Sequence, residues 1–122
     1  MSAASFRFDL TAAVANPGEL PWKPLRPGVD IHRLYGNDED GPSAALLRYA
    51  PGAEVPWHIH GGAEHILVLA GSQEDDSGRY GPGMFVVNQP GSTHRVTSRD
   101  GCLVLVVWER PVEFITGTGT TE

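Results

Sequence analysis

Gly52-Ala-Glu-Val-Pro-Trp-His-Ile-His-Gly-Gly-Ala-Glu-His-Ile-Leu-Val-Leu-Ala-Gly71 is the stretch that decides the fold prediction. His58 and His60 lie two residues apart, and side chains with that spacing on a strand project from the same face. Two imidazoles can therefore reach one ion. The glycine pair that follows allows the chain to bend sharply, so Glu64 opens the next strand with a carboxylate close to both imidazoles.

A third histidine completes a candidate metal site. His94 follows His60 by more than thirty residues, on a separate predicted strand after a Pro-Gly turn. Three imidazole nitrogens and one carboxylate oxygen suit a single divalent transition-metal ion. The pattern does not distinguish among Fe, Zn, Mn, Ni, Co and Cu. Because the set has no thiolate, a closed structural zinc site is disfavoured, and open positions are expected for water, O₂ or a substrate. His65 follows Glu64 directly and should face away from the site.

Outward from this stretch, short apolar runs alternate with turns. The chain has 122 residues, of which 15 are glycine and 10 are proline, and these residues stand between the apolar runs. No segment after residue 28 has helical periodicity. Many short strands at this spacing predict an all-β sandwich or barrel. The predicted strands are 29–34, 44–49, 55–58, 64–70, 72–76, 79–80, 84–88, 93–97 and 102–109.

The chain is expected to form one domain with distinct ends. Residues 1–27 are predicted to be an extended arm, since four prolines remove backbone donors, with Trp22 and Leu25 packing it on the barrel. Within this arm, residues 6–16 are compatible with either a strand or a short helix. Residues 28–115 are predicted to form the barrel, and the Thr/Gly-rich residues 116–122 a mobile tail.

Composition excludes several functions. The net charge is −6, which repels phosphate polymers and anionic lipid and disfavours nucleic-acid or membrane binding. The longest apolar run, residues 102–108, is far shorter than the roughly 20 residues of a membrane span. No secretory signal is visible, and the single cysteine permits no internal disulfide, so a cytoplasmic location is predicted. Cys102 is interpreted as a small buried hydrophobe, and Asp75 and Asp76 as a solvated turn.

These patterns resemble the cupin family. Residues 52–71 match the first cupin motif, G-x5-H-x-H-x3-E-x6-G, at every fixed position. Residues 83–94 are similar to the second motif, G-x5-P-x-G-x2-H, but Gln89 stands at the proline position, and Ser98 stands where a later asparagine is usual. Neither departure touches a metal ligand of the family pattern. The resemblance implies a double-sheet jelly-roll barrel with a metal ion held by His58, His60, Glu64 and His94.

Within cupins the chain resembles the ChrR-type branch. The shared features are the lead-in PWKPLRPGV, the run ALLRYAPGA, the glycine pair before the glutamate, PGSTH, and a GC pair opening a strand. That branch includes the cupin half of a zinc-binding anti-sigma factor and is close to small dioxygenases that cleave carbon–carbon bonds in diketones. The resemblance implies either a metal-dependent enzyme or a metal-binding sensor.

Four further residues are candidates for the pocket: Arg48, Tyr49, Trp57 and Phe85. If Arg48 points inward, its guanidinium offers a fork for a carboxylate or enolate. Trp57 is interpreted as packing in preference to a substrate platform. With no nucleophile–base pair in the sequence, chemistry would rest on the ion, with Glu64 or a bound water handling protons.

Three functions remain open. The leading hypothesis is a non-haem, dioxygenase-type oxidoreductase acting on a small organic substrate. The alternative is a non-catalytic ChrR-like sensor or regulatory cupin. A sugar isomerase or epimerase ranks lower, because few basic residues are available for the pocket.

A homodimer is also expected. Both alternate faces of residues 66–70 and 102–108 are apolar, and only one face of each strand can fill the barrel. The other faces need a cover, which a second copy or the proline-rich arm would provide.

Overall fold

The computed structural model describes residues 5–115, which contain one α-helix, one 3-10 helix and eleven strands. The predicted tail 116–122 lies outside the described residues. The elements are α1 (Leu10–Ala15), the 3-10 helix (Pro17–Glu19), β1 (Lys23–Arg26), β2 (Val29–Tyr35), β3 (Ser43–Tyr49), β4 (Ala53–His60), β5 (Glu64–Gly71), β6 (Gln73–Asp75), β7 (Gly78–Tyr80), β8 (Phe85–Asn88), β9 (Thr93–Ser98), β10 (Cys102–Trp108) and β11 (Val112–Phe114).

The strands form two antiparallel sheets, which confirms the all-β jelly-roll prediction. One sheet has the order β1-β2-β3-β10-β5-β8, and the other has the order β11-β4-β9-β6-β7. Inward-facing side chains from both sheets form the core, because alternate residues of a strand face opposite sides. In β5 the inward residues Ile66 and Val68 are buried, whereas Leu67 and Leu69 on the outer face are half-buried.

Within the predicted extended arm, residues 6–16 contain the helix that was one of their two predicted alternatives, and Pro17–Glu19 form a 3-10 helix. Residues 10–15 form helix α1, which begins where the Asp9 carboxylate accepts a hydrogen bond from the Ala12 amide at 3.0 Å. Residues 23–26 form β1, an edge strand that extends the six-stranded sheet. Proline is tolerated there because one side of an edge strand needs no backbone donor. The barrel sheet therefore begins at Lys23, five residues before the predicted boundary.

The rest of this segment packs on the outer face of β2 and β3. The Trp22 indole N–H donates to the Pro17 carbonyl at 2.7 Å, and its ring meets His32 edge-on with 6.4 Å between centroids. The guanidinium carbon of Arg48 lies 4.7 Å from the Trp22 ring centroid. The segment thus covers the outer face of two strands of the larger sheet.

Within residues 5–115, no helix has the length and apolarity needed to cross a membrane.

Candidate metal centre

Two neighbouring strands bring three histidines together on the inner face of the smaller sheet. His58 and His60 lie on β4, and His94 on β9 is directly opposite His58 in the antiparallel register. All three are at least 95% buried, and their ring centroids lie 4.6–5.0 Å apart. The predicted same-face projection of His58 and His60 is therefore present in the structure.

The fourth residue comes from the facing sheet. Glu64 is the first residue of β5 and is 5% exposed. One candidate donor atom from each of His58, His60, Glu64 and His94 lies within 4.8 Å of the others. The structure thus assembles the four predicted ligands from two consecutive strands, β4 and β5, and from the distant strand β9.

Hydrogen bonds on the far side of each ring assign the histidine tautomers. His58 Nδ1 lies 2.8 Å from the Pro56 carbonyl, and His60 Nδ1 lies 3.0 Å from the Ser92 carbonyl. His94 Nδ1 lies 3.0 Å from Oδ2 of Asp75. Each partner is an acceptor, so each Nδ1 carries the proton and each Nε2 keeps its lone pair.

The Nε2 atoms of the three histidines face one another and the Glu64 carboxylate, and no hydrogen-bond donor of the described residues lies between them. His60 Nε2 and His94 Nε2 are buried and have no hydrogen-bond partner among the described residues. His60 Nε2 lies 3.2 Å from Oε1 of Glu64. Two lone-pair atoms at that distance repel unless a positive charge lies between them. A proton or a divalent metal satisfies this requirement, so the donor set fits a transition metal.

Two side chains hold Glu64 in place. The Trp108 indole N–H donates to Oε2 at 2.6 Å, and the Asn88 amide donates to Oε1 at 3.0 Å. Both donors lie opposite Glu64 in the strand register, Trp108 on β10 and Asn88 on β8. The carboxylate is therefore fixed from both neighbouring strands and aimed at the histidines.

The environment separates the pKa values of the site groups. Burial lowers the pKa of His58 to about 4, so this imidazole is neutral at pH 7. Burial also opposes protonation of His60, but the adjacent Glu64 carboxylate outweighs burial and raises the pKa of His60. Burial would raise the pKa of Glu64, yet the neighbouring imidazoles, His60 above all, lower it. The site therefore holds an ionised carboxylate beside imidazoles that are suited to bind a cation.

A mostly apolar cavity leads to this centre. Its volume is about 300 Å³, at the small end of the range for ligand pockets. His58, Glu64 and His94 line it, whereas His60 does not. Its apolar walls include Ile31, Leu47, Val55, Ile66, Val106 and Phe114.

The structure brings only one of the four predicted pocket residues to this cavity. Tyr49 lines it and is buried, and burial raises the pKa of its hydroxyl. Arg48 instead pairs with Asp30 on the outer face at 2.9 Å, because its buried neighbours on β3 take the inward positions. Trp57 and Phe85 are 42% and 60% exposed and lie outside this cavity. The expectation that Arg48, Trp57 and Phe85 could line the cavity is thus wrong.

Other contacts at the site have no clear signal in the sequence. Asp75, interpreted as a solvated turn residue, holds His94, and its side chain is only 8% exposed. Asn88 and Trp108 reach Glu64 through strand register, which local patterns do not specify. Arg26 and Arg33 also line the cavity. Val29 and Ile31 face inward on β2, and alternation along the strand predicts that Arg33, two residues after Ile31, also faces inward.

The match to the ChrR Cupin-like domain covers residues 10–112, so the chain belongs to this family of cupins. It is 30% identical over 99 residues to the anti-sigma-E factor ChrR of Cereibacter sphaeroides, covering 79% of this chain and 45% of that protein. It is 32% identical over 78 residues to a protein of the same organism provisionally named dimethylsulfoniopropionate lyase DddL, covering 61% of this chain and 34% of that protein. The chain thus spans a third to a half of the length of these relatives.

The fold is also similar to that of a solved enzyme. An acetylacetone dioxygenase from Acinetobacter johnsonii superposes with a TM-score of 0.78 and 14% identity, covering 99% of this chain and 83% of that one. At this identity the similarity concerns the fold.

Proposed function

We propose that the chain is a metal-dependent oxidoreductase of dioxygenase type that acts on a small organic molecule. The observation that carries the proposal is the buried cluster of three imidazoles and one carboxylate at the inner end of an apolar cavity of about 300 Å³. A bound divalent metal would supply a Lewis acid and a redox centre there. The apolar walls would exclude bulk water from a substrate held beside it.

The chain's own residues have distinct roles in this proposal. His58, His60 and His94 present Nε2 lone pairs, since each Nδ1–H is anchored to an acceptor. Glu64 adds negative charge, held by donors from the neighbouring strands. Its carboxylate also provides an acceptor for a proton leaving a substrate at the centre. Tyr49 stays protonated at neutral pH and offers a hydroxyl donor in the cavity wall.

Metal content and oxygen uptake test the proposal together. Protein loaded with Fe(II) should consume O₂ with at least one member of a panel of β-diketones and hydroxyketones. The double variant His58→Ala/His94→Ala should lose both the metal and the oxygen uptake, because only two of the four ligands would remain. The matched double variant His32→Ala/His65→Ala removes two histidines outside the cluster and should keep both properties. Equal metal content in the two double variants would overturn the metal site.

A non-catalytic sensor is the second candidate, favoured by the similarity to ChrR and by the burial of all four ligands. Tight zinc retention without turnover of any panel member would favour it. Dimethylsulfoniopropionate belongs in the panel because of the DddL relative. If the protein consumed it without taking up oxygen, this result would reject the dioxygenase proposal and support a lyase reaction.

A further inference from the structure

Two arginines that the metal centre does not use, Arg26 and Arg33, line the cavity in front of it. Arg26 is opposite Val29 in the β1–β2 register, and Arg33 is opposite Ala45 in the β2–β3 register. Val29 and Ala45 are fully buried core residues. Directly opposed residues share a face of the sheet, so both arginines occupy inward positions that would otherwise be apolar.

The backbone aims Arg26 into the cavity. The β1–β2 register shifts between Pro24 and Arg26, and such a bulge redirects the side chain that follows it. The guanidinium carbon of Arg26 lies 4.6 Å from the ring centroid of Phe114 on β11, the edge strand of the other sheet. The Phe114 ring lies 5.8 Å from that of His58. Arg26, Phe114 and His58 therefore form a continuous path from an edge strand to the metal centre.

Neither cavity arginine has a carboxylate partner within residues 5–115. Arg48, Arg79 and Arg99 are each within 4.0 Å of a carboxylate. Arg26 and Arg33 form no such ion pair and no side-chain hydrogen bond in the same part of the chain. Each guanidinium thus keeps a planar set of donors whose geometry matches a carboxylate.

The charges around the cavity favour an anion. Asp38 is the one other acidic side chain besides Glu64 that lines it among the described residues. Two guanidiniums and a divalent ion exceed these two carboxylates by two positive charges. A neutral ligand would leave the two half-buried guanidiniums without a counter-charge in the cavity, whereas a carboxylate would neutralise part of the excess.

We propose that the cavity binds a small organic acid, whose carboxylate is held by Arg26 and Arg33 and whose other end faces His58, Glu64 and His94. The inference rests on the proposed function in one respect only, namely that the cavity is the substrate site. The cavity volume of about 300 Å³ restricts the ligand to a short acid.

Calorimetric titration of the Zn(II)-loaded protein with two matched probes tests this inference. The probes are 2,4-dioxopentanoate and pentane-2,4-dione, which differ by a carboxylate in place of a methyl group. The wild type should bind the carboxylate probe more tightly. Arg26→Gln should weaken that binding about tenfold to a hundredfold, the range for losing hydrogen bonds to a charged group, and should leave the diketone unaffected.

Three further variants complete the experiment. Arg48→Gln removes an arginine paired to Asp30 on the outer face and should bind both probes as the wild type does. Arg26→Lys keeps the charge and should lose less affinity than Arg26→Gln, and Arg33→Gln should weaken the carboxylate probe selectively. Melting temperature and zinc content establish that each variant is folded and loaded.

The outcomes separate this inference from the proposed function. Equal affinity of wild type and Arg26→Gln for the carboxylate probe would overturn the inference, as would failure of the wild type to bind that probe. Selective loss in Arg26→Gln, in a protein that consumes no O₂ with any substrate, would support the anion site and reject the dioxygenase.

Discussion

Asp75 divides four hydrogen bonds between its two oxygens, and this division sets the tautomer of His94. Its Oδ1 accepts from the amides of Ser77 and Gly78 and from the Tyr80 hydroxyl at 2.9–3.2 Å. Its Oδ2 accepts from His94 Nδ1 at 3.0 Å. In Asp75→Asn the three donors should keep the amide oxygen at the Oδ1 position, so the new NH₂ group faces His94. That donor favours a proton on Nε2, the atom needed for the metal.

Asp75→Asn should therefore weaken metal binding by about tenfold to a hundredfold, the usual range for losing a partner behind a ligand. Competition with a coloured chelator measures the affinity. Asp76→Asn, at the neighbouring position and without a contact to the histidines among the described residues, is the matched control and should bind as the wild type does. Equal affinity in both variants would show that Asp75 does not set the tautomer.

Glu64→Gln separates the charge of the carboxylate from its shape. The glutamine oxygen can accept from Trp108, and its NH₂ group can donate to Asn88 once that amide rotates to present its oxygen. We expect the variant to fold and to keep most of the metal on three imidazoles. If the protein is an enzyme, turnover should fall by roughly 10²- to 10⁴-fold, the range for losing a general base. Complete loss of metal would make the carboxylate an indispensable ligand, and unchanged turnover would remove it from the mechanism.

Cys102 should be unreactive in the folded protein. Burial raises the pKa of its thiol from 9.0 to about 11. Between pH 9 and pH 11 the thiol is therefore protonated in the folded state and ionised in the unfolded state. The thiol's contribution to stability is present below pH 9 and is lost as pH rises toward 11. At pH 8 the folded chain should react with iodoacetamide at least about a hundredfold more slowly than the urea-unfolded chain, because its thiolate fraction is that much smaller. Similar rates for the two states would support a redox-sensing role.

At the scale of elements, local sequence predicts strands β2 to β10 but misses β1 and β11, which lie at one edge of each sheet. Strands β3 to β5 and β8 to β10 form within two residues of their predicted bounds, since apolar runs end at glycine or proline there. Strand β1 has no such signal, because it contains Pro24 and forms only by pairing with β2. The metal ligands were predictable because their spacing is set within two motifs, with His58, His60 and Glu64 in the first and His94 in the second. Asp75, Asn88 and Trp108 were not, because strand register places them at the site.

The last glycine of the first cupin motif is required by a backbone crossing. Gly71 ends β5 with φ +72°, and a Cβ there would overlap the carbonyl oxygen of Gly101. Gly52, at the other end of the motif, has φ +84°, but no other atom lies within 4 Å of where its Cβ would stand. Gly52→Ala should cost only the left-handed backbone penalty of about 1–2 kcal/mol. Gly71→Ala should reduce the free energy of unfolding by at least about 1–3 kcal/mol more. Urea denaturation measures both, and equal losses would contradict the role of the crossing.

At the scale of the whole molecule, the N-terminal segment covers the outer face of the larger sheet at its β2–β3 end. The N-terminal segment packs over β2 and β3, where Trp22 contacts His32 and Arg48. On β10, β5 and β8, outward side chains form two cross-strand rows, Leu105-Leu67-Phe85 and Val107-His65-Val87. Phe85 and Val87 are 60% and 42% exposed at the edge strand. This face is therefore exposed at its β8 edge, so the hypothesis of a second copy retains its physical basis.

This face should pair with its equivalent in a second copy, because apolar rows of this kind are costly to leave in water. Light scattering at micromolar concentration should give about twice the 13.1 kDa mass of one chain. The double variant Phe85→Lys/Val87→Lys should give the mass of one chain while keeping the fold, since both side chains are exposed in the single chain. Tyr35→Lys, which changes an exposed aromatic residue at the end of β2, should stay dimeric. A single-chain mass for the wild type would refute the dimer. A dimer that survives Phe85→Lys/Val87→Lys would place the interface elsewhere.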